Sequence, residues 1–177
     1  MVSILKTDKI QASHGSTIEI PSGHNLHAPG HAIQTVQSKW YTVATTTSTS
    51  YVAVNDSQVN ITPKYADSKF LLRYSLHQYT RNSSLHGLAP YFYVPSTNTW
   101  SVLNSDSTYN EVVRVANGNT NLVIWGMQHF EFLISVPGNG TEQVSFKIYH
   151  KTSDASYNVR INDNGPGSSI SVQEIAQ

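Results

Sequence analysis

Apolar and polar residues alternate along most of this chain. The clearest case is Ser68–Arg81, where Phe70, Leu72, Tyr74 and Leu76 fall on alternate positions with Arg73, Ser75 and His77 between them. A period of two with one apolar face marks a half-buried strand. Thr62-Pro63 and Ala66-Asp67-Ser68 put a turn just before it. We read it as the central strand of a β-sandwich, with Arg73, Ser75 and His77 facing solvent or a neighbouring subunit.

The same period recurs downstream. His31–Thr45 is the first strand of the main domain. Its apolar positions, Ile33, Val36, Trp40, Tyr41 and Val43, shift phase, which predicts a bulge or bend near Lys39. The hydroxyl run Thr45–Ser50 reads as a Thr-rich edge strand or turn. Tyr51–Val54 and Gln58–Thr62 are short strands around Asn55-Asp56. Arg81–Gly87 reads as a polar loop. Leu88–Val94 is a strand, and Pro90 inside it argues for an edge position or a late start. Trp100–Leu103 is short, and Asn104–Asn121 is a long irregular stretch around the small apolar piece Val112–Val115. Leu122–Trp125 and Phe130–Val136 are the next strands. Pro137-Gly138-Asn139-Gly140 is a strong turn signal, so Phe130–Val136 and Val144–Ile148 read as a hairpin. Tyr157, Val159 and Ile161 alternate again. After the Asn164–Gly167 turn, Ser169–Ile175 closes the chain as a strand held in a sheet. No segment carries a capped 3.6-residue pattern, and many short strands without helices point to an all-β sandwich.

Residues 1–30 differ. Ile4 and Ile10 suggest an extended arm, and Ile18 and Ile20 lie in a short strand ended by Pro21. So little apolar surface cannot form a core, so the arm must pair with the main domain, sister chains or another protein. The domain boundary is placed near Gly30, giving an arm over 1–30 and a sandwich over 31–177.

Composition narrows the partners. Only 12% of the 177 residues are charged and the formal net charge is zero, which leaves no basic footprint for nucleic acid. Such a surface suits neutral partners: other subunits or glycans. There are no cysteines, which excludes disulfides and thiolate metal sites. The opening MVSILKTDKIQ has no apolar signal-peptide region, and no run approaches the ~20 apolar residues of a membrane helix.

Candidate chemistry is sparse. Pro29-Gly30 breaks any helix that would bring His27 and His31 together, and His24, His27 and His31 read as surface or packing residues. Asn162-Asp163-Asn164-Gly165 opens like a calcium loop but has no closing glutamate, so it reads as a turn. The eleven Asp and Glu residues are scattered. Glu111 and Glu131 have no spacing that marks an acid/base pair, and Glu131 reads as solvent-facing opposite Phe130 and Phe132. There is no Gly-x-Ser-x-Gly elbow and no phosphate-binding loop. The reading is a protein that is not an enzyme and needs no cofactor or metal. Exposed Tyr and Trp make glycan platforms and interface anchors, although Phe92, Tyr93 and Trp100 read equally well as core. Trp100, Tyr109, Asp106 and His86 are the candidate receptor or glycan contacts.

Three stretches, LKTDKIQ, IEIPSGHNLHAPGHAIQTVQ leading into TTTSTSYVAVNDSQVNITPKYADSKFLL, and SSISVQEIAQ, resemble small virion proteins of tailed bacteriophages, especially marine and cyanobacterial ones, described as tail-fibre or structural proteins. The resemblance implies a jelly-roll β-sandwich of the C1q/tumour-necrosis-factor (TNF) type that assembles as a homotrimer. It implies that the arm, through Ile4, Ile10, Ile18 and Ile20, docks on other virion proteins or a stem. The last strand would lie in the inner sheet near the trimer axis, and distal loops, chiefly Arg81–Gly87 and Asn104–Asn121, would meet a host-surface glycan or protein. The protein would be assembled in the bacterial cytoplasm and reside in the virion. An arm of this length is too short for a long shaft at about 3.3 Å per residue, which favours a short appendage tip. The alternative is a capsid decoration or head-fibre protein with a purely structural role.

Overall fold

The computed structural model describes residues 29–81, 85–103, 113–116, 123–136, 142–163 and 165–177. Twelve strands run in chain order: β1 (Ala32–Trp40), β2 (Ala44–Thr46), β3 (Val52–Ala53), β4 (Val59–Ile61), β5 (Lys69–Arg81), β6 (Leu85–Val94), β7 (Thr99–Val102), β8 (Val113–Ala116), β9 (Val123–Ile134), β10 (Val144–Thr152), β11 (Val159–Ile161) and β12 (Ser168–Ile175). A one-turn 3-10 helix, Asn55–Ser57, separates β3 from β4.

All pairings between these strands are antiparallel. In sheet one, β5 pairs with β9 over Phe70–Arg81, and on its other side with β12 and then β11; β1 lies beyond β12, and β2 beyond β11. In sheet two, β10 has β6 on one side and β4 and β3 on the other, while the far side of β6 carries β8 and β7. Joining consecutive short strands gives eight lanes, A to H. Lane A is β1 and β2, B is β3 and β4, C is β5, D is β6, E is β7 and β8, F is β9, G is β10, and H is β11 and β12. The sheets then read A-H-C-F and B-G-D-E. Each lane pairs with the one equally far from the other end: A with H, B with G, C with F, D with E. This rolled-up long hairpin is a jelly-roll β-sandwich.

The alternation in β5 explains the core. Phe70, Leu72, Tyr74 and Leu76 are at most 2% exposed. They pack with Ile170 and Val172 of β12 and against Leu88, Val94, Val144, Phe146 and Ile148 of the facing sheet. The Phe70 and Phe146 rings, 5.7 Å apart, bridge the sheets. The C-terminal strand lies between β1 and β5. Its buried Glu174 accepts hydrogen bonds from Gln34 Nε2 (2.6 Å), the Lys64 and Tyr65 N–H groups (2.7 and 3.1 Å) and Ser68 Oγ (2.6 Å). A buried carboxylate is tolerated when its lone pairs are filled in this way, and here it ties the turn before β5 to β12.

Several expectations change. The stretch Arg81–Gly87 is strand at both ends: β5 runs to Arg81 and β6 begins at Leu85, with Leu85–Leu88 paired to β8, and 82–84 lie outside the described residues. Polar side chains do not end a strand whose ladder is satisfied. The segments expected as Leu122–Trp125 and Phe130–Val136 share one strand, β9, over Val123–Ile134, and Leu122 lies outside the described residues. Nor do β9 and β10 form a hairpin; they lie in opposite sheets, each turning its apolar face to the same core. Of the bulge or bend expected near Lys39, the structure shows the bend, as a corner after Trp40, while the register of β1 shifts earlier, between Ala32 and Gln34. The register of β1 is regular from Gln34 to Trp40, and the chain then leaves the sheet through exposed Tyr41 and Val43 before β2. Pro90 lies within the sheet, not at an edge. Its carbonyl accepts from Leu103 N–H at 3.0 Å, so its nitrogen faces the same side, where the β8 ladder has ended and the β7 ladder begins. His77 is buried, because the turn before β12 covers it: a Cβ at Gly165 would sit 1.9 Å from His77 Nδ1.

The same turn explains Asn162. Its backbone is left-handed (φ 64°), its amide donates to the Trp40 and Thr42 carbonyls (3.1 and 3.2 Å), and its Oδ1 accepts from Ser168 Oγ (2.6 Å). The side chain is thus a structural clasp rather than a cation ligand. Gly167 (φ 89°) closes the turn, and a Cβ there would meet Tyr41 Cδ1 at 2.8 Å and the Trp40 carbonyl at 2.9 Å. Gly167→Ala is expected to cost about 1–3 kcal/mol in urea unfolding; a loss below roughly 0.5 kcal/mol would show that the corner relaxes freely.

Candidate ligand-binding face

The outward surface of sheet two is aromatic. Strand alternation sends Lys147, Tyr149 and Lys151 of β10 outward, and the register sets Lys147 opposite Tyr91, Tyr149 opposite Ala89 and Lys151 opposite Gly87. On the far side of β6, Trp100 stands opposite Tyr93. Ala89 and Gly87 have little or no side chain and are buried beneath their neighbours, so the large rings spread over the sheet.

The rings form a continuous path. Tyr51 and Tyr91 centroids are 6.2 Å apart, Tyr91 and Tyr149 4.1 Å, Tyr149 and Trp100 6.2 Å, and Trp100 and Tyr93 5.5 Å. Two ammonium groups lie on it: Lys147 Nζ 5.0 Å from the Trp100 centroid and Lys151 Nζ 4.6 Å from that of Tyr51. These are cation–π distances. Burial raises the Tyr91 phenol above its ordinary value; Tyr149 is raised by burial and then by Tyr91. Both hydroxyls therefore remain protonated donors. No carboxylate occupies an outward position on the described strands of this sheet. The face offers π surfaces, hydroxyls and the two lysines, and the register sets Arg114 of β8 opposite Gly87 at its margin.

Trp100, singled out from sequence, belongs to this face. Asp106 and Tyr109 lie outside the described residues, as do Ile4, Ile10, Ile18 and Ile20. Sequence reasoning missed Tyr51, Lys147, Tyr149 and Lys151, because it read the β10 positions only as the polar side of a strand. A usable signal was there: after Ser145 the outward positions of β10 carry Lys147, Tyr149 and Lys151 in succession.

His86 is not a surface contact. It points between the sheets and is fully buried, with its ring 5.5 Å from that of buried His150. The inward positions of three strands turn polar at this end of the sandwich: Gln78 and Thr80 on β5, His86 on β6, His150 and Thr152 on β10. Both ring nitrogens of His86, Nδ1 of His150 and both amide atoms of Gln78 have no hydrogen-bond partner among the described residues. Burial holds His86 well below the usual histidine range, with His150 adding to the effect, and lowers His150 to about 4.

No protein-family model and no curated protein matches the sequence. Among solved structures, the chain overlaps with that of the infectious bursal disease virus Gx strain at 13% identity and a TM-score of 0.39, over 85% of this chain and 31% of the other. It overlaps with the infectious bursal disease virus VP2 subviral particle at 14% identity and a TM-score of 0.41, over 91% and 42%. The chain thus spans less than half the length of either. Overlaps this slight carry no argument, and the fold assignment rests on the lane order.

The histidine pair generates a pH dependence. In the unfolded chain both titrate near the ordinary value of about 6.5; in the fold both are lower, so the unfolded state binds more protons between the two values. Their stability contribution is complete above about 6.5 and falls as pH drops toward 4, with a loss from His150 of about 2–3 kcal/mol by pH 4.5. Urea unfolding at pH 7 and pH 4.5 should show at least this loss, reduced in His150→Gln. An unchanged difference in the variant would count against the buried-imidazole account.

Proposed function

We propose that this protein is a virion structural protein, a short appendage whose jelly-roll domain contacts a host-surface glycan through the aromatic face of sheet two and its sister chains through sheet one. The aromatic path from Tyr51 to Tyr93 carries the reading. Flat rings with hydroxyls at their edges stack on the C–H faces of sugar rings and also hydrogen-bond their hydroxyl groups. The resemblance of the opening, middle and closing stretches to tailed-phage virion proteins supports the setting. The role is non-catalytic.

The outer face of sheet one supports self-association into a C1q/TNF-type trimer. On its edge strand, Leu133 is 58% and Met127 37% exposed. Nearer the centre is a hollow of about 340 Å³, lined among others by Gln37, Ser75, His129, Ser169 and Ser171 beside the Arg73–Glu131 ion pair. Small uncharged side chains and exposed apolar ones suit burial against identical copies, with the C-terminal strand toward the axis. The arm would dock on other virion proteins.

Two measurements test this reading. The native mass should be near three times 19.6 kDa and fall toward the single-chain mass in Leu133→Asp; a wild-type monomer at micromolar concentration contradicts the trimer. Labelled protein should bind the host bacteria and compete with phage adsorption, and Trp100→Ala with Tyr149→Ala should weaken that competition about tenfold or more, an order of magnitude that one good ring stack supports. Wild-type protein that neither binds nor competes, and is found by particle imaging only on the capsid, would favour the decoration role.

A further inference from the structure

The proposal so far leaves the chemistry of the glycan open, and the two lysines narrow it. Resting on the glycan-binding reading of sheet two, we propose that the face selects an anionic glycan, one whose sugars carry carboxylate or sulfate groups, with Lys147 and Lys151 as the specificity-determining residues.

The argument begins with spacing. Lys147 and Lys151 lie on the same side of β10 with Tyr149 between them. At about 3.4 Å per residue their backbones are roughly 14 Å apart, so the cations bracket a stacking ring over a length suited to an oligosaccharide rather than a single sugar. Each ammonium lies over a ring, Lys147 on Trp100 and Lys151 on Tyr51. That arrangement holds a cation at each end of the surface on which sugars would stack. A neutral glycan gains only ordinary hydrogen bonds, its hydroxyl oxygens accepting from the ammonium groups. An acidic substituent gains a charge-assisted hydrogen bond with an ammonium group, roughly twice as strong as a neutral one.

Charge complementarity is local. The chain as a whole has zero formal net charge, yet on this face the register aligns Lys147 and Lys151 and, opposite Gly87, Arg114 of β8, with no carboxylate at a described outward strand position. Selectivity therefore comes from positioned groups rather than from a long-range field. The same balance disfavours a nucleic acid, which presents a phosphate at every nucleotide and calls for a longer row of cations.

Dextran, carboxymethyl-dextran and dextran sulfate share a backbone and differ only in charge. Binding of each to the full-length protein by calorimetry, at low and high salt, tests the proposal. The expected result is at least about tenfold tighter binding of one or both anionic polymers than of dextran, reduced by salt. Lys147→Gln with Lys151→Gln should abolish that preference while an unchanged melting temperature shows the fold intact. The carboxymethyl and sulfate arms distinguish which acidic group is preferred. Equal binding of all three polymers, or an unaltered preference in the double variant, overturns the proposal but leaves the glycan reading standing. Single-stranded DNA that competes as well as dextran sulfate also overturns it, in favour of a general polyanion site. Binding of no polymer, together with unchanged host adsorption by Trp100→Ala and Tyr149→Ala, would remove the glycan reading itself.

Discussion

The structure depends on β5 being paired along both of its sides. On one side it meets β9 from Phe70 to Arg81; on the other it meets β12 and β11. The alternation of its side chains then decides what lies inside the sandwich, because a one-residue slip would exchange its apolar and polar faces. β12 takes its register from β5, β1 takes its own from β12, and Glu174 ties the turn that introduces β5 back onto β12. With no disulfide to close the roll, this pairing and the side chains it buries hold the C-terminal strand in place.

The interior is not uniform. From Phe70 to Leu76 the inward side of β5 is apolar or aromatic, and at Gln78 and Thr80 it becomes polar, as do the inward positions of β6 at His86 and of β10 at His150 and Thr152. Unpartnered polar atoms gather there. One end of the sandwich is therefore held by dry packing, and the other depends on two imidazoles staying uncharged. Outside, the two faces differ as sharply. Sheet two shows rings and lysines, while sheet one shows serines, an ion pair and a few exposed apolar side chains. On the proposed reading, that division would let one small domain meet two kinds of partner.

Much of this was legible in the residues. The period of two in Ser68–Arg81 identified the central strand and its four core side chains, and the closing stretch read as a strand held within a sheet. Where the reading failed, the cause was the same each time: alternation tells which side chains face inward, not which strand lies alongside. Phe130–Val136 and Val144–Ile148 both need a core, and the sequence pattern cannot show that they face each other across it instead of pairing. His86 looked like a loop residue because polar residues cluster around it, yet β8 satisfies its strand and His150 lies beside it. Trp100 was identified by its residue type, but Tyr149 and Lys147 became part of a site only once the register placed them beside Tyr91 and Trp100.

The division between the two outward faces is the central claim, and hydroxyl-radical footprinting of the assembled protein, alone and bound to host envelope, tests it most directly. In the free assembly Tyr149, Tyr91 and Trp100 should be readily oxidised while Met127 is protected from the level its exposure in a single chain implies; on envelope binding the three aromatic residues should become protected and Met127 should not change. Aromatic residues that stay equally reactive when bound, or a Met127 as reactive as in an isolated chain, would contradict the account.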